Sequence, residues 1–96
     1  MSAFRQRPAA NDARAPLPLS VFVIARNEAD RIGPVLDAVR DLTDDLIVVD
    51  SGSTDATREV AAARGARVVV NTPWPGYGPQ KRFAEDLCRH DWVLNL

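Results

Sequence analysis

The chain has 96 residues, 46% hydrophobic and 26% charged, with 12 Lys and Arg against 13 Asp and Glu for a formal charge of −1. That is the composition of one ordinary folded domain, without the basic surplus that grips nucleic-acid phosphates, so nucleic acid is not an expected partner. A single cysteine, Cys88, and a single histidine, His90, exclude an internal disulfide and a structural zinc site built from Cys and His.

Residues 1–18 hold Pro8, Pro16 and Pro18 and three arginines against one aspartate, with no helical or strand period. They read as a flexible basic tail, suited at most to a weak contact with an anionic membrane surface. The first residues lack the apolar core of a secretory signal, and no apolar run reaches the ~18–20 residues that cross a bilayer, so the expected location is cytoplasmic.

From Leu19 the pattern changes. Ser20 to Ala25, SVFVIA, is a short apolar run rich in β-branched residues, which suits a strand buried on both faces. Ile32, Val35, Leu36, Val39 and Leu42 then recur as one stripe of an amphipathic helix, starting near Arg31 or bending at Pro34. Leu46 to Asp50 is a second buried strand. Asp55 to Arg64 is Ala-rich and helical, with Gly65 where a residue just past a helix end would sit. Ala66 to Val70 is a third strand. Asn71 to Pro79, dense in Pro and Gly, predicts a loop, and Pro79 at the first helical position opens a helix over Gln80 to His90. Trp92 begins a fourth strand.

Strands alternating with helices at this spacing predict an α/β fold: a parallel sheet flanked by helices, of the kind that binds nucleotides. Ligands of such sheets bind outside the carboxyl ends of the strands. A last strand with no covering helix, in a chain this short, is expected of the N-terminal part of a larger domain, over residues 19–96.

Three polar segments fall at predicted strand ends: Arg26-Asn27-Glu28, then Asp50-Ser51-Gly52-Ser53-Thr54-Asp55, then the Gly76 loop leading to Gln80, Lys81 and Arg82. The parallel topology directs all three to one rim. Ionised carboxylates such as Glu28 and Asp50 are pure acceptors, suited to ribose hydroxyls and base N–H groups, while cations and a helix N-terminus suit a diphosphate. Each segment also has a plain structural reading. Asn27-Glu28 can end a strand and open a helix; Ser53, Thr54 and Asp55 are helix-capping types; Trp74 and Tyr77 can pack a loop as readily as stack on a ligand. Lys81 and Arg82 can be a solvated helix face, Cys88 a core thiol and His90 a surface residue at a helix end. G-x-G-x-x-G, G-x-x-x-x-G-K-[ST], D-x-D after the second strand and G-x-S-x-G are all absent, which argues against Rossmann dinucleotide binding, P-loop NTPases, aspartyl-phosphate hydrolases and serine hydrolases.

The two motifs together, SVFVIARNE ending at Glu28 and LIVVDSGSTD ending at Asp55, resemble the opening of a family 2 glycosyltransferase with a GT-A fold. With the later Gly-Tyr-Gly-Pro-Gln-Lys81, they are similar to enzymes that add glucose to the lipopolysaccharide core. The resemblance covers residues 19–96. It implies that Glu28, preceded by Asn27, lines the nucleoside pocket, that Asp50 contacts uridine, and that Lys81 passes near the base and diphosphate. The nucleotide-binding set it implies is Arg26, Asn27 and Glu28 with Asp50, Ser51, Gly52 and Ser53, joined by Gln80 and Lys81. The chain departs from the family pattern in two places: P-x-Y-N-E reads Ile24-Ala25-Arg26-Asn27-Glu28, and Ser51 replaces the second acid of D-D-G-S. The resemblance further implies a UDP-sugar donor, an envelope glycolipid or polysaccharide precursor as acceptor, and a place at the inner face of the membrane. It also implies a divalent metal, Mg or Mn, whose ligands would begin at position 97, with the acceptor base further on, so the 96-residue chain by itself is expected to be inactive. The rival expectation is a non-catalytic nucleotide-binding or interaction module complete at this length.

Overall fold

The computed structural model describes residues 17–96. The expected basic tail lies outside the described residues, except that Leu17 and Pro18 belong to the first strand. The elements in chain order are β1 (Leu17–Ala25), α1 (Ala29–Val39), β2 (Thr43–Asp50), α2 (Thr57–Ala63), β3 (Arg67–Val70), α3 (Tyr77–Leu87) and β4 (Trp92–Asn95). The strands form one parallel sheet in the order β3-β2-β1-β4.

The two central strands carry the apolar runs because both their faces are covered. Leu19, Val21 and Val23 of β1, with Leu46 and Val48 of β2, pack on Ile32, Leu36 and Val39 of α1 and Ala61 of α2. Phe22, Ile47 and Val49 point the other way, onto Ala84 of α3. Helices thus lie on both sides of the sheet, and the chain leaves β3 at one edge to enter β4 at the other. That reversal places the topological switch point beside β1, between it and β4.

Several element boundaries differ from the sequence expectation, each for a physical reason. β2 begins at Thr43 because its polar residues are satisfied internally: Thr43 Oγ1 donates to the Leu19 carbonyl, and Ser20 Oγ donates to Asp45 Oδ2 at 2.6 Å. β1 begins at Leu17, with a register irregularity before Ser20 where Pro18 has no N–H to give. α1 starts at Ala29 rather than near Arg31, because the Glu28 carbonyl already accepts from Arg31 and Ile32 N–H at 2.9 and 2.8 Å; Leu42 lies beyond its end. α3 opens at Tyr77 after Gly76, whose φ is +100°. Pro79 is therefore its third residue, where the amide hydrogen is still not needed. The same helix stops at Leu87 instead of His90, since the Arg89 and His90 amides are drawn away to Asp45 and Ser20 at 2.7 and 3.0 Å.

Gly65 does follow α2 as expected, at φ +88°, with open space where a Cβ would stand. A Gly65→Ala substitution is therefore expected to cost about 1–2 kcal/mol through left-handed backbone strain alone. Urea denaturation checks it, and an unchanged midpoint would mean that the turn relaxes out of that conformation.

Candidate functional site at the carboxyl edge of the sheet

Ala25 and Asp50 are register partners at the ends of β1 and β2, so the two chain segments that follow leave the sheet side by side. They are stitched together by hydrogen bonds. Ser53 Oγ accepts from the Asn27 amide at 2.8 Å, Thr57 Oγ1 from the Glu28 amide at 2.8 Å, and Asp55 Oδ2 from the Ala29 amide at 3.2 Å. In return, Asn27 Oδ1 accepts from the Thr54 amide at 2.8 Å. Asn27 holds φ +54°, a left-handed conformation that Asn tolerates better than most residues.

Asp50 is fully buried, and both carboxylate oxygens are engaged. Oδ2 accepts from the Gly52 and Ser53 amides at 3.0 and 2.8 Å and from Arg58 Nη1 at 3.2 Å, while Oδ1 accepts from Ser53 Oγ. Burial pushes this carboxyl up, but the hydrogen bonds from Ser53, Gly52 and Arg58 outweigh it and hold the group below the usual carboxylate range. Its work in the structure is to pin the turn through Gly52, which has φ +105°.

Beside this turn lies an open cavity of about 330 Å³, bordered by Ile24, Ala25, Arg26, Glu28, Ser51, Trp74 and Tyr77. Trp74 and Tyr77 border it and are 50% and 58% exposed, so their rings are not sealed into loop packing and present apolar surface. Glu28 supplies a carboxylate that also pairs with Arg31 at 3.0 Å; Arg26 supplies a cation. An apolar wall with acceptor, donor and cation at its rim suits a flat ring bearing polar edges and an anionic tail.

Of the residues implicated by sequence, Arg26, Glu28 and Ser51 border the cavity. Asn27, Asp50, Gly52 and Ser53 do not border it; they hold the adjoining turn together. Glu28 and Asp50 do share one rim, but their carboxylates are used differently, the first at the cavity and the second inside the turn. Gln80 is fully buried on α3, and Lys81 is partly buried next to it; neither borders the cavity. The sequence reading missed Arg58, which spacing does not connect to Asp50. It also missed Asn71, whose Nδ2 donates to Gln80 Oε1 at 2.6 Å. Its position at the end of β3, matching those of Asp50 and Arg26, was the available signal.

Two other features lie elsewhere. A cavity of about 410 Å³ at the opposite end of the sheet is bordered by Arg40, Thr43, Asp44 and Arg64, near the C-termini of α1 and α2. His90, past the end of α3, meets Asp44 Oδ1 through Nε2 at 2.7 Å, and that hydrogen bond is the main cause holding Asp44 below the usual carboxylate range. Burial pushes the Cys88 thiol up, and its Sγ donates to the Ala84 carbonyl at 3.4 Å, in keeping with a packing role. Among the described residues, no three His, Cys, Asp or Glu side chains gather as a metal site, so these residues alone do not fit a bound divalent ion. No described helix is long and apolar enough to cross a membrane.

The family model described as glycosyl transferase family 2 matches residues 20–96. An uncharacterised glycosyltransferase of Rickettsia conorii is 50% identical over 78 residues, covering 81% of this chain and 27% of that protein. The lipopolysaccharide core biosynthesis glycosyltransferase LpsC of Rhizobium meliloti is 35% identical over 85 residues, covering 83% of this chain and 31% of its own. Among solved structures, the glucosyl-3-phosphoglycerate synthase of Mycobacterium tuberculosis, in complex with Mn2+, UDP and glucosyl-3-phosphoglycerate, superposes with a TM-score of 0.72 at 33% identity, over 97% of this chain and 39% of that one. The same enzyme is similar in its complex with Mg2+ and UDP, at a TM-score of 0.73. The chain spans about a quarter of the length of the Rickettsia relative.

Proposed function

From the premise that the chain belongs to glycosyl transferase family 2, we propose that it forms the donor-binding part of a GT-A transferase that takes its sugar from a uridine diphosphate sugar. The observation that carries this reading is the cavity at the carboxyl edge of β1, walled by Trp74 and Tyr77 and edged by Arg26, Glu28 and Ser51. The base stacks against the aromatic wall. Glu28 accepts from a ribose hydroxyl or a base N–H, and Arg26 faces the diphosphate, with Lys81 on α3 as a second cation toward it. A divalent ion, Mg2+ or Mn2+, belongs to this reading, with ligands outside the described residues; when bound it supplies charge neutralisation for the leaving diphosphate.

The name of the Rhizobium relative supports an envelope glycolipid or polysaccharide precursor as acceptor, and with it a working place at the cytoplasmic face of the membrane. The same reading expects no sugar turnover from the 96-residue chain alone, because neither an acceptor base nor metal ligands stand at the cavity. Sugar release from UDP-glucose by the purified chain above a buffer blank would contradict it.

The direct test is a titration with UDP, read by amide shifts at residues 26–28 and 51–53. Trp74→Ala is expected to weaken UDP binding by about 1–3 kcal/mol, the value of one stacked base, while leaving the melting temperature unchanged because the ring is half exposed. No UDP-dependent shift in the wild-type chain would remove the proposal. Unchanged affinity in the variant would remove only the stacking role.

A further inference from the structure

Asn95 closes β4 at the carboxyl edge, where its register partner is Phe22 and the Leu96 amide donates to the Phe22 carbonyl at 3.0 Å. Phe22 and Val93 turn to the α3 side of the sheet, and Asn95, two residues beyond Val93, shares that face. An apolar residue would continue the face, and Asn is a poor strand former. Instead the amide leaves Oδ1 buried with no hydrogen-bond partner among the described residues. A buried orphan of this kind weakens a fold and calls for a reason. Among the described residues the Asn95 side chain makes one hydrogen bond, from Nδ2 to Tyr77 Oη at 3.4 Å. A phenol hydroxyl both donates and accepts, so the pair holds for either orientation of the amide. Tyr77 in turn opens α3 and borders the cavity beside β1.

We infer that Asn95 is a positioning residue for the nucleotide: its amide tethers the Tyr77 hydroxyl and so holds the ring in place as the wall on which the base stacks. This inference rests on the nucleotide reading of the cavity and deepens it. Asn95 does not border the cavity and acts only through Tyr77. A ring that is 58% exposed has little packing to fix its angle, so a bond at its far end restricts it. Holding the ring before the ligand arrives removes part of the ordering that binding would otherwise require. The residue thus weakens folding and strengthens binding, opposite signs from one side chain.

The test is UDP titration and urea denaturation of the full chain and three variants. Asn95→Val removes the orphaned oxygen and suits a strand, so its urea midpoint is expected to equal or exceed that of the wild type. Its UDP affinity is expected to fall about threefold to tenfold, the scale of one hydrogen bond. Tyr77→Phe keeps the ring but loses the tether, and its affinity is expected to fall by the same factor. The double variant is expected to fall no further than either single one, because both remove the same bond. A merely structural Asn95 would shift the urea midpoint and leave UDP affinity alone. Unchanged affinity in either single variant, losses that multiply in the double variant, or an Asn95→Val chain less stable than the wild type each overturns the inference. Any of these with a wild-type chain that binds UDP leaves the nucleotide reading intact, whereas a wild-type chain that binds no UDP overturns both.

Discussion

Asp45→Ala is expected to lower folding stability by about 2–4 kcal/mol, chiefly because it leaves the Ser20 hydroxyl and the Arg89 amide without their acceptor. The residue is 1% exposed, and its carboxylate gathers groups from every strand of the sheet or its approach. It accepts from Ser20 Oγ of β1 at 2.6 Å, from Arg67 Nη2 of β3 at 3.2 Å, and from the Arg89 amide and Nε ahead of β4 at 2.7 and 3.2 Å. Arg67 and Arg89 are exposed enough to return to water, but the Arg89 amide would lose its partner. Against a total stability of about 5–15 kcal/mol for a small domain, such a loss brings the chain near its unfolding midpoint.

The pH dependence carries the same signature. Burial pushes the Asp45 carboxyl up, yet the hydrogen bonds from Ser20, Arg89 and Arg67 prevail and lower it from 3.8 to about 2. A folded-state value below the unfolded one stabilises the fold above the unfolded value, and that contribution disappears as pH falls toward the folded value. Asp45 should therefore supply about 2 kcal/mol above pH ~4 that declines as pH falls toward ~2 and is gone below it. Asp44, Asp50 and Asp55 are also lowered, so the wild type alone does not isolate Asp45. The comparison with Asp45→Asn does: urea midpoints of the two proteins should converge as pH drops from 5 toward 2. Parallel curves would show that the carboxylate charge adds nothing to the fold.

Asp50→Ala is expected to cost about 2–4 kcal/mol, because it leaves the Gly52 and Ser53 amides without their acceptor and Arg58 with only the Ser53 carbonyl. Since the carboxylate does not border the cavity, UDP affinity measured on the folded fraction should fall by about 1 kcal/mol or less, through displacement of Ser51. Stability is read by urea denaturation and affinity by calorimetry. A collapse of UDP affinity with stability intact would make Asp50 a direct ligand contact and overturn the pinning role.

The interior strand runs and their order along the chain were legible because Val21 to Val23 and Leu46 to Val49 state their burial by composition. The front ends of β1 and β2 were not, because Ser20 and Asp45 are buried by bonding each other, and Thr43 by bonding the Leu19 carbonyl, across 25 and 24 residues of sequence. No local period encodes that. The start of α3 was misplaced for a related reason: Pro79 is acceptable anywhere in a first turn, so it marks a helix opening only to within two residues. At the site, the Asn27-Glu28 and Asp50 to Asp55 motifs located the rim. The direction of each side chain was hidden, as Asp50 and Gln80, both inward, demonstrate. Trp74 and Tyr77 were ambiguous in sequence and became informative only through their exposure.

The crossed bonds between residues 27–29 and 53–57 make those two segments a single cooperative unit. Neither can fray without releasing the other, so local opening there has one free energy rather than two. A ligand that immobilises either segment thereby quiets both, and the entropy of ordering the rim is lost in one step.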